Sequence, residues 1–544
     1  MAGGVITRST PDDPGAGDRD RGRSGSDQPK GSARELVLVS HRGPVHFERE
    51  AGRRVVQRGA GGLVTALRDL VRHVDAITWV CAAATDEDHA VAERGGYETV
   101  EVVPDHTCRV RMLAIEPDVH HDFYAVIANP LLWFIQHYLW DHASAPDITK
   151  LELDAWEHGY VEVNRRFADA VIGTAAGLPP GSVVMVHDYH FYLVPKLVRD
   201  AGVDVFLHFF VHIPWPQPDS WRVLPPHLRE PIIEGLLGSD IVAFHTERYA
   251  RNFLLTCQEL LGLDVDCDTG IVHVGDRDVA VRFYPISVDE STLNELADTP
   301  EASRYEEELS RTRREHLILR VDRTDPSKNC VRGFRAYERM LEQHPELHER
   351  VTFLALLQPS RQDVPQYAAY TEEINRAAAR VNERFGRGDW LPVDLRFGEN
   401  LPLAVAAYRL FDVLMVNAVF DGMNLVAKEA IVVNARDGVL ALSENTGAHH
   451  ELGAIAVTLS PFDIEQQAAA LYEALTMPAD ERRIRRAAGV EIVRHNSVQK
   501  WLDHQLSDVD AAMHDIEQPL SPVVDVTRAD LDAIPATDPS VYFS

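Results

Sequence analysis

Cysteine is scarce in this chain of 544 residues. The five cysteines form no Cys-x-x-Cys pair, and their number is odd; they are Cys81, Cys108, Cys257, Cys267 and Cys330. This pattern excludes a disulfide framework and a cysteine zinc site, and it is typical of thiols in a reducing compartment. We therefore expect a cytoplasmic protein.

Long apolar runs are also missing. No run reaches the roughly 18 residues of a membrane-spanning helix, so we expect no membrane partner. Residues 1–33 are rich in Gly, Ser, Asp and Arg and lack the apolar stretch of a signal peptide, which predicts a disordered leader. The end of the chain has prolines and aspartates without periodicity, so we predict that residues 514–544 are mostly disordered.

Positive charge is outnumbered. The 54 Lys and Arg residues face 84 Asp and Glu residues, a formal charge of −30. This excess argues against general nucleic-acid binding, so an anionic substrate would need locally placed Arg and Lys. No ATPase P-loop of the form GxxxxGK[ST] is present, and His187-Asp-Tyr-His190 lacks the spacing of a helical metal site. We expect no metal and no cofactor.

Short apolar segments alternate with helical segments in two consecutive series. The first series of predicted strands is Leu36–Ser40, Ile77–Cys81, Arg109–Ile115, Val183–His187, Val205–His212 and Asp240–His245. The second is Leu317–Val321, Val351–Leu357, Val393–Phe397, Val413–Asn417 and Val439–Leu442. The alternation predicts an α/β protein with two parallel sheets and a ligand cleft at their strand ends. A loop should follow the first strand, and the polar stretch from Asp289 to Arg314 should connect the two units.

The segment Arg323-Thr-Asp-Pro-Ser-Lys328 directly follows a predicted strand. Arg binds phosphate oxygens through its planar fork and Lys adds a point charge, so the pair suits a diphosphate. A solvated turn with two basic residues would have the same local sequence.

The segment Asp421-Gly-Met-Asn-Leu-Val-Ala-Lys-Glu429 follows another predicted strand. Gly422 permits a tight turn into a helix, whose first N–H groups can bind an anion. Asp421 and Glu429 would lie roughly 12 Å apart along such a helix, comparable to the length of a nucleotide sugar. In the alternative interpretation, Asp421 is an ordinary N-cap.

Polar residues also end strands of the first unit. Asp188 follows one strand, and His212 precedes Pro214 and Pro216 on a loop after another. A lone histidine is more often structural than catalytic. Ser40-His-Arg42 follows the first strand, and the loop Gly59-Ala-Gly-Gly62 could approach a phosphate closely.

Together these segments resemble the trehalose-6-phosphate synthase family of retaining GT-B glycosyltransferases, over about residues 35 to 510. The resemblance implies two Rossmann-like, doubly wound domains facing a central cleft. Their expected bounds are 34–290 for the acceptor domain and 291–496 for the nucleotide-sugar domain, with a helix over 497–513 crossing back. The implied donor-binding residues are Gly61, Gly62, His212, Arg323, Lys328, Asp421, Gly422, Met423, Asn424, Leu425, Val426 and Glu429.

By the same resemblance, the acceptor site consists of Arg42, Tyr124, Trp133, Asp188 and Arg361. The implied catalytic residues are Asp188, His212, Arg323, Lys328 and Asp421. Arg323 and Lys328 would hold the diphosphate, and Arg42 and Arg361 the phosphate of glucose 6-phosphate. The expected reaction transfers glucose from UDP-glucose or GDP-glucose to glucose 6-phosphate with retention, and the chain could form a homo-oligomer.

Five residues depart from the family pattern, among them Thr324 and Pro326, which stand where Leu and Tyr are usual. His41 stands where Asn is usual, Asn329 where Gly is usual, and Phe420 where Arg is usual. Parts of the sequence also resemble validamycin-type pseudo-glycosyltransferases, which join cyclitols, and glucosylglycerol-phosphate synthases. These two enzyme classes are the first alternatives, and a catalytically dead sugar-phosphate-binding protein is a third.

Overall fold

A computed structural model describes residues 35–59, 76–103 and 106–514, with isolated positions between 64 and 74. The predicted leader, most of the predicted tail, and Gly61 and Gly62 lie outside the described residues. The strands form a ten-stranded sheet, a six-stranded sheet and a hairpin. The earlier strands are β1 Glu35–Val39, β2 Val45–Glu50, β3 Arg53–Arg58, β4 Ala76–Ala82, β5 Tyr97–Val103, β6 His106–Leu113, β7 Ser182–His187, β8 Val205–Phe210, β9 Ile241–Phe244, β10 Asp264–Asp266, β11 Ile271–Val274 and β12 Arg277–Phe283. The later strands are β13 His316–Arg323, β14 Val351–Gln358, β15 Val393–Phe397, β16 Val413–Val416, β17 Val439–Ser443 and β18 Val457–Leu459.

The ten-stranded sheet is the centre of the first lobe. Its order is β10-β11-β12-β9-β8-β7-β1-β4-β6-β5, and the strands from β12 to β6 run parallel. Strands β7, β8 and β9 are buried along their whole length, as expected for a parallel sheet covered on both faces. The chain order reverses between β1 and β7, so this junction is a topological switch point.

The six-stranded sheet is the centre of the second lobe. Its order, β15-β14-β13-β16-β17-β18, is entirely parallel. Numbered within the lobe this is 3-2-1-4-5-6, the doubly wound order whose ligand crevice lies between the first and fourth strands. Here these are β13 and β16, and the segments predicted to bind the donor follow these two strands.

Helices cover both sheets. In the first lobe they are Asp86–Glu93, Pro117–His120, Trp133–Gln136, Lys150–Ala155, Glu162–Ala175, Val194–Asp200, Pro218–Trp221, Pro226–Leu236 and Glu247–Leu261, with π-helices His121–Leu132 and Trp156–Val161 and the 3₁₀ turn Tyr189–Phe191. Later helices are Glu290–Ala297, Pro300–Thr312, Cys330–Gln343, Pro365–Phe385, Leu401–Leu410, Leu425–Val433, His449–Leu452, Ile464–Thr476, Ala479–His495 and Val498–Met513, with 3₁₀ turns Pro326–Lys328 and Pro345–Leu347.

One expectation about local structure was wrong, and the stretch expected to connect the two units contains helices that were not predicted. The expected loop after β1 contains the hairpin β2–β3, whose turn at Ala51 and Gly52 has φ of 48° and 78°. The expected connection from Asp289 to Arg314 forms two helices, capped by the side chains of Asp289 and Thr299. Their few apolar residues pack on one face, against the helix Leu401–Leu410, which is why the stretch looked merely polar.

A buried ion pair joins the two places where the chain passes between the lobes. Lys428 Nζ donates to the Ile286 carbonyl oxygen at 2.7 Å and pairs with Glu451 Oε2 at 2.5 Å. Asn496 Nδ2 donates to Glu451 Oε1 at 2.7 Å. The helix Val498–Met513 then returns to the first lobe, where Asp508 accepts a hydrogen bond from the Tyr284 hydroxyl at 2.6 Å. The predicted domain bounds stay a prediction.

Candidate active site

The predicted site residues meet at the switch points of the two sheets. In the second lobe Arg323 ends β13, and Lys328 ends the 3₁₀ turn that follows it. In the first lobe Arg42 follows β1 and Asp188 follows β7. Because carboxyl ends of parallel strands share one sheet edge, both sets face the cleft between the lobes.

Lys328 and Asp421 form an ion pair across the second-lobe switch point. Lys328 Nζ contacts Asp421 Oδ2, and only 13% and 15% of the two side chains are exposed. Burial lowers the pKa of Lys328, but Asp421 and Asp322 outweigh burial and raise it overall. Burial likewise raises the pKa of Asp421, but Lys328 outweighs that effect and lowers it. Both groups are therefore charged in the cleft at neutral pH.

The turn after Asp421 differs from the one expected. The helix begins at Leu425, and its N-cap is Asn424 rather than Asp421, with Asn424 Oδ1 accepting from Ala427 N at 3.3 Å. Asn424 has φ of 77°, and Gly422 has no positive φ. Gly422 is needed for space: a Cβ there would lie 2.1 Å from the His212 carbonyl oxygen. Asp421 therefore precedes the helix and lies against the first lobe.

The other predicted donor residues lie along this turn and helix. Met423 is buried, and Leu425 and Val426 occupy the first helical turn, where backbone N–H groups have no partner within the helix. Glu429 accepts a hydrogen bond from the Tyr408 hydroxyl at 3.1 Å, and burial raises its pKa.

His212 is the middle member of a histidine chain. Its Nε2 lies 3.1 Å from His187 Nδ1, and its Nδ1 lies 3.2 Å from His245 Nε2. His245 Nδ1 is 3.4 Å from the Tyr284 carbonyl oxygen, which can only accept. The chain is therefore ordered if each neutral ring donates from Nδ1. Burial lowers the pKa of His187 and His245 to about 3, and that of His212 well below its usual value. His212 is thus a neutral, fixed ring rather than a proton donor.

Asp188 is held in a strained backbone conformation. Its φ is 76°, which is rare for a residue other than glycine. Its Oδ1 accepts from His212 N at 3.3 Å, and burial raises its pKa to about 6. The strain places a carboxylate at the strand end, beside the His212 loop.

Arg361 reaches across the cleft from the second lobe. Its Nη1 donates to Asp325 Oδ2 at 3.0 Å and to the Tyr367 hydroxyl at 2.6 Å, and its Nη2 donates to the Tyr189 hydroxyl of the first lobe at 3.1 Å. Its Cζ lies 4.1 Å from the ring centroid of Trp133. Arg361 has φ of 50°, so its side chain is directed into the cleft by an unusual turn.

Tyr124 lies where three cations converge. Burial raises its pKa, but Arg361, Arg42 and Arg323 together outweigh burial and lower it. Tyr124 belongs to the π-helix His121–Leu132, a rare element that is frequent at functional sites. Its ring also stacks on His41, at 5.2 Å between centroids.

The model of Glycosyltransferase family 20 matches residues 34–511. The chain belongs to glycosyltransferase family 20. The GT-B fold and the expected glycosyltransferase class are thereby confirmed.

Relatives of this family 20 glycosyltransferase have consistent names. A "Trehalose-6-phosphate synthase" from Mycolicibacterium vanbaalenii is 34% identical over 495 residues, covering 88% of this chain and 96% of that protein. A "Bifunctional trehalose-6-phosphate synthase/phosphatase" from Thermoproteus tenax is 33% identical over 507 residues, covering 89% of this chain. The chain spans only 65% of that protein's length, and 51–62% of the length of three other curated relatives.

Solved structures of similar proteins contain ligands. A Burkholderia xenovorans α,α-trehalose-phosphate synthase (UDP-forming) in complex with glucose-6-phosphate is 28% identical, with a TM-score of 0.74 over 88% of this chain and 100% of that chain. The structure "Trehalose-6-phosphate from E. coli bound with UDP-2-fluoro glucose" contains a protein that is 26% identical to this chain. Its TM-score is 0.74, over 87% of this chain and 98% of that chain.

Sequence reasoning about this family 20 glycosyltransferase missed Asp325 as a residue of the cleft, and it identified Phe420 only as a departure from the family pattern. Asp325 is fully buried and contacts both Arg361 and Trp133. Phe420 inserts between Tyr138, at 4.5 Å between ring centroids, and Arg248, whose Cζ lies 5.5 Å from its centroid. Asp325 stands inside the Arg323–Lys328 segment and could have been flagged there, whereas the Phe420 contacts leave no signal in sequence.

Within residues 35–59, 76–103 and 106–514 and the few described positions between them, no group of three or more His, Cys, Asp and Glu side chains could hold a metal ion. Over the same part of the chain, no helix is both long and apolar enough to cross a membrane.

Proposed function

We propose that this chain is an α,α-trehalose-phosphate synthase that transfers glucose from UDP-glucose to glucose 6-phosphate, with GDP-glucose as the second candidate donor. The observation that carries the proposal is that Arg361 and Arg323 lie 4.1 Å and 5.5 Å from the ring centroid of Trp133 of the first lobe, while Arg42 follows β1 of that lobe. Two of these cations follow strands of the second lobe and one follows a strand of the first. An anionic acceptor and an anionic donor would both be bound in that cleft.

The acceptor phosphate is proposed to bind between Arg42 and Arg361. Arg42 is exposed at the end of β1, and Arg361 is held on the opposite side of the cleft by Tyr189 and Tyr367. A dianion is well matched to two guanidinium forks. Tyr124 and Trp133 would form the wall for the sugar ring, and Asp188 would accept a hydrogen bond from an acceptor hydroxyl.

The donor is proposed to bind along the second-lobe switch point. Arg323 has 38% of its side chain exposed, and its nearest carboxylate oxygen among the described residues is Asp325 Oδ2, at 3.9 Å. Arg323, Lys328 and the first turn of the helix Leu425–Val433 would bind the diphosphate. Asp421 would bind hydroxyls of the glucose, and Glu429 those of the ribose. A relative's structure with UDP-2-fluoro glucose supports the uridine donor.

The proposed reaction retains the configuration of the donor's anomeric carbon. The acceptor hydroxyl attacks from the face that the diphosphate leaves, so a new C–O bond forms as the C–O bond to the diphosphate breaks. The diphosphate departs with the bonding electrons, and the proton of the acceptor hydroxyl passes to the leaving oxygen of the diphosphate. Arg323 and Lys328 stabilise the charge that develops there. His212 would contact the donor glucose as a neutral ring and would not donate a proton.

A matrix of donors and acceptors tests the proposal. UDP-, GDP- and ADP-glucose are each offered with glucose 6-phosphate, glucose, glycerol 3-phosphate and a cyclitol phosphate, and products from labelled donor are identified. We expect trehalose 6-phosphate from the uridine donor, with less from the guanosine donor. Efficient transfer to glycerol 3-phosphate or to the cyclitol, with glucose 6-phosphate inert, would assign the chain to one of the alternative enzyme classes. Donor binding without any transfer would indicate a sugar-phosphate-binding protein.

We also propose that the reaction takes place in the cytoplasm. All five cysteines are free, and all except Cys267 are buried. Free thiols are typical of a reducing compartment. Fractionation of the native cell with an antibody against the chain would test this proposal.

A further inference from the structure

One buried carboxylate lies between the two proposed binding sites. Asp325 is 0% exposed, and it belongs to the segment that carries Arg323 and Lys328. Its Oδ1 accepts from Ser327 N at 3.0 Å and from Ser327 Oγ at 2.8 Å, which orders the 3₁₀ turn ending at Lys328. On this side Asp325 supports the proposed diphosphate site.

The same carboxylate also orders the proposed acceptor wall. Its Oδ1 accepts from Trp133 Nε1 of the first lobe at 3.3 Å, and its Oδ2 accepts from Arg361 Nη1 at 3.0 Å. The guanidinium of Arg361 lies 4.1 Å from the Trp133 centroid, and that of Arg323 lies 5.5 Å from it. Trp133 is therefore in contact with the cations of both sites, and Asp325 anchors its indole N–H.

The charge on Asp325 is shared between these cations. Arg361 lies at 3.0 Å and Arg323 at 3.9 Å from the same Oδ2. Burial raises the pKa of Asp325, but Arg361 and Arg323 outweigh burial and lower it, so the carboxylate is ionised. One negative charge thus offsets repulsion between a proposed donor cation and a proposed acceptor cation.

We propose that Asp325 is a positioning residue that couples donor binding to acceptor binding. The inference rests on the proposed function, because it assumes that an anion binds at each of the two sites. When an anion binds beside Arg323, that anion compensates the charge of Arg323 in place of Asp325. The Asp325 carboxylate can then hold Arg361 and Trp133 more firmly in the geometry that an acceptor phosphate needs. Binding at either site should therefore increase affinity at the other.

The test uses Asp325→Asn in the full-length chain, with Ser327→Ala as its matched control. Asn keeps the size of the side chain but removes its charge, whereas S327A removes one capping hydrogen bond and leaves Arg361 and Trp133 untouched. Calorimetry measures UDP affinity alone, with saturating glucose 6-phosphate, and with inorganic phosphate. Steady-state kinetics measure KM for each substrate and kcat.

In the unchanged chain, we expect either anion to increase UDP affinity. In D325N we expect that increase to disappear and KM for the acceptor to rise about tenfold or more, the scale of a misplaced binding group. S327A should keep both properties. Because Asp325 acts through Arg361, D325N should have little further effect on acceptor KM in an Arg361→Ala background.

Three outcomes would overturn the inference. They are an unchanged chain in which neither anion affects UDP binding, a D325N variant that keeps the effect, and an S327A variant as impaired as D325N. Failure of the proposed function is a separate result: if inorganic phosphate strengthens UDP binding and glucose 6-phosphate does not, the acceptor assignment is wrong while the coupling stands.

Discussion

Replacing Arg361 should separate the acceptor site from the donor site. A guanidinium has five N–H groups. Nη1 of Arg361 donates to Asp325 and Tyr367. Nη2 donates to the Tyr189 hydroxyl, which a phosphate oxygen could replace, and Nε has no hydrogen-bond partner among the described residues. Nε and Nη2 form one edge of the guanidinium, the edge that can bind two oxygens of a phosphate.

The expected loss follows from those two N–H groups. A hydrogen bond to a charged group contributes about 1.5–3 kcal/mol, so two contribute about 3–6 kcal/mol. At about 1.4 kcal/mol for each factor of ten, Arg361→Ala should lower kcat/KM for glucose 6-phosphate by about 10²–10⁴-fold. Arg361→Lys keeps the charge but not the fork, and its loss should be smaller.

The assay measures kcat/KM for glucose 6-phosphate and, separately, the affinity for UDP. UDP binding without acceptor should change far less than acceptor use, because Arg361 is proposed to contact only the acceptor and to act on the donor site only through Asp325. Thermal denaturation checks folding, since R361A leaves the buried Asp325 without its closest cation. Loss of UDP affinity equal to the loss of acceptor use, in a folded variant, would refute the assignment of Arg361 to the acceptor phosphate.

Four further predictions concern charge in the cleft. Lys328→Ala should cost about 2–4 kcal/mol of transition-state stabilisation, seen as a lower kcat in a folded protein; near-normal turnover would exclude Lys328 from the diphosphate site. Because burial raises the pKa of Asp188 to about 6, kcat/KM for the acceptor should fall below pH 6, and Asp188→Asn should lack this acid limb. The free energy of unfolding should fall by about 1 kcal/mol for each buried neutral imidazole as the pH drops from 6.5 to 5.5. The reason is that these imidazoles stay unprotonated in the fold and take up protons when the chain unfolds. A melting temperature that does not change over this range would contradict the prediction. These imidazoles belong to His41, His187, His208 and His245, with pKa values of about 3, and His137, with a pKa of about 4. Because Arg323, Lys328 and a helix N-terminus supply the charge for the diphosphate, activity should survive EDTA, and a loss that Mg²⁺ restores would count against this role.

The sequence was sufficient to predict most of the parallel strands of both sheets, but not β12 and β18, which pair in parallel with β9 and β17. Runs such as Val351–Leu357 are apolar along their whole length, which is typical of strands covered on both faces, and the structure places β14 there. The antiparallel edges were missed. Strands β2, β3 and β10 are short or largely polar, and an edge strand needs no continuous apolar run.

The candidate site was proposed from the sequence as single residues and not as a set of contacts. Arg323, Lys328 and Asp421 were singled out because charged residues follow strands, which is a local pattern. Their pairing was not predictable, since Lys328 and Asp421 are 93 residues apart and meet only when β13 and β16 lie side by side. Asp325 was overlooked because Asp before Pro is also an ordinary turn sequence.

The ion pair of Lys428 and Glu451 limits how parts of this enzyme can be recombined with those of its relatives. It binds the first passage of the chain at Ile286 and the second at Asn496, so the two natural junction points share one buried contact. Lys428 and Glu451 both belong to the second lobe, so a hybrid that exchanges one junction keeps the ion pair but puts the hydrogen bond at that junction at risk. A buried charged group that loses such a partner costs about 1–3 kcal/mol, a sizeable part of the stability of an ordinary domain. Exchange of the whole second lobe, including both junctions, avoids this cost, so the fold favours inheritance of the lobe as one unit.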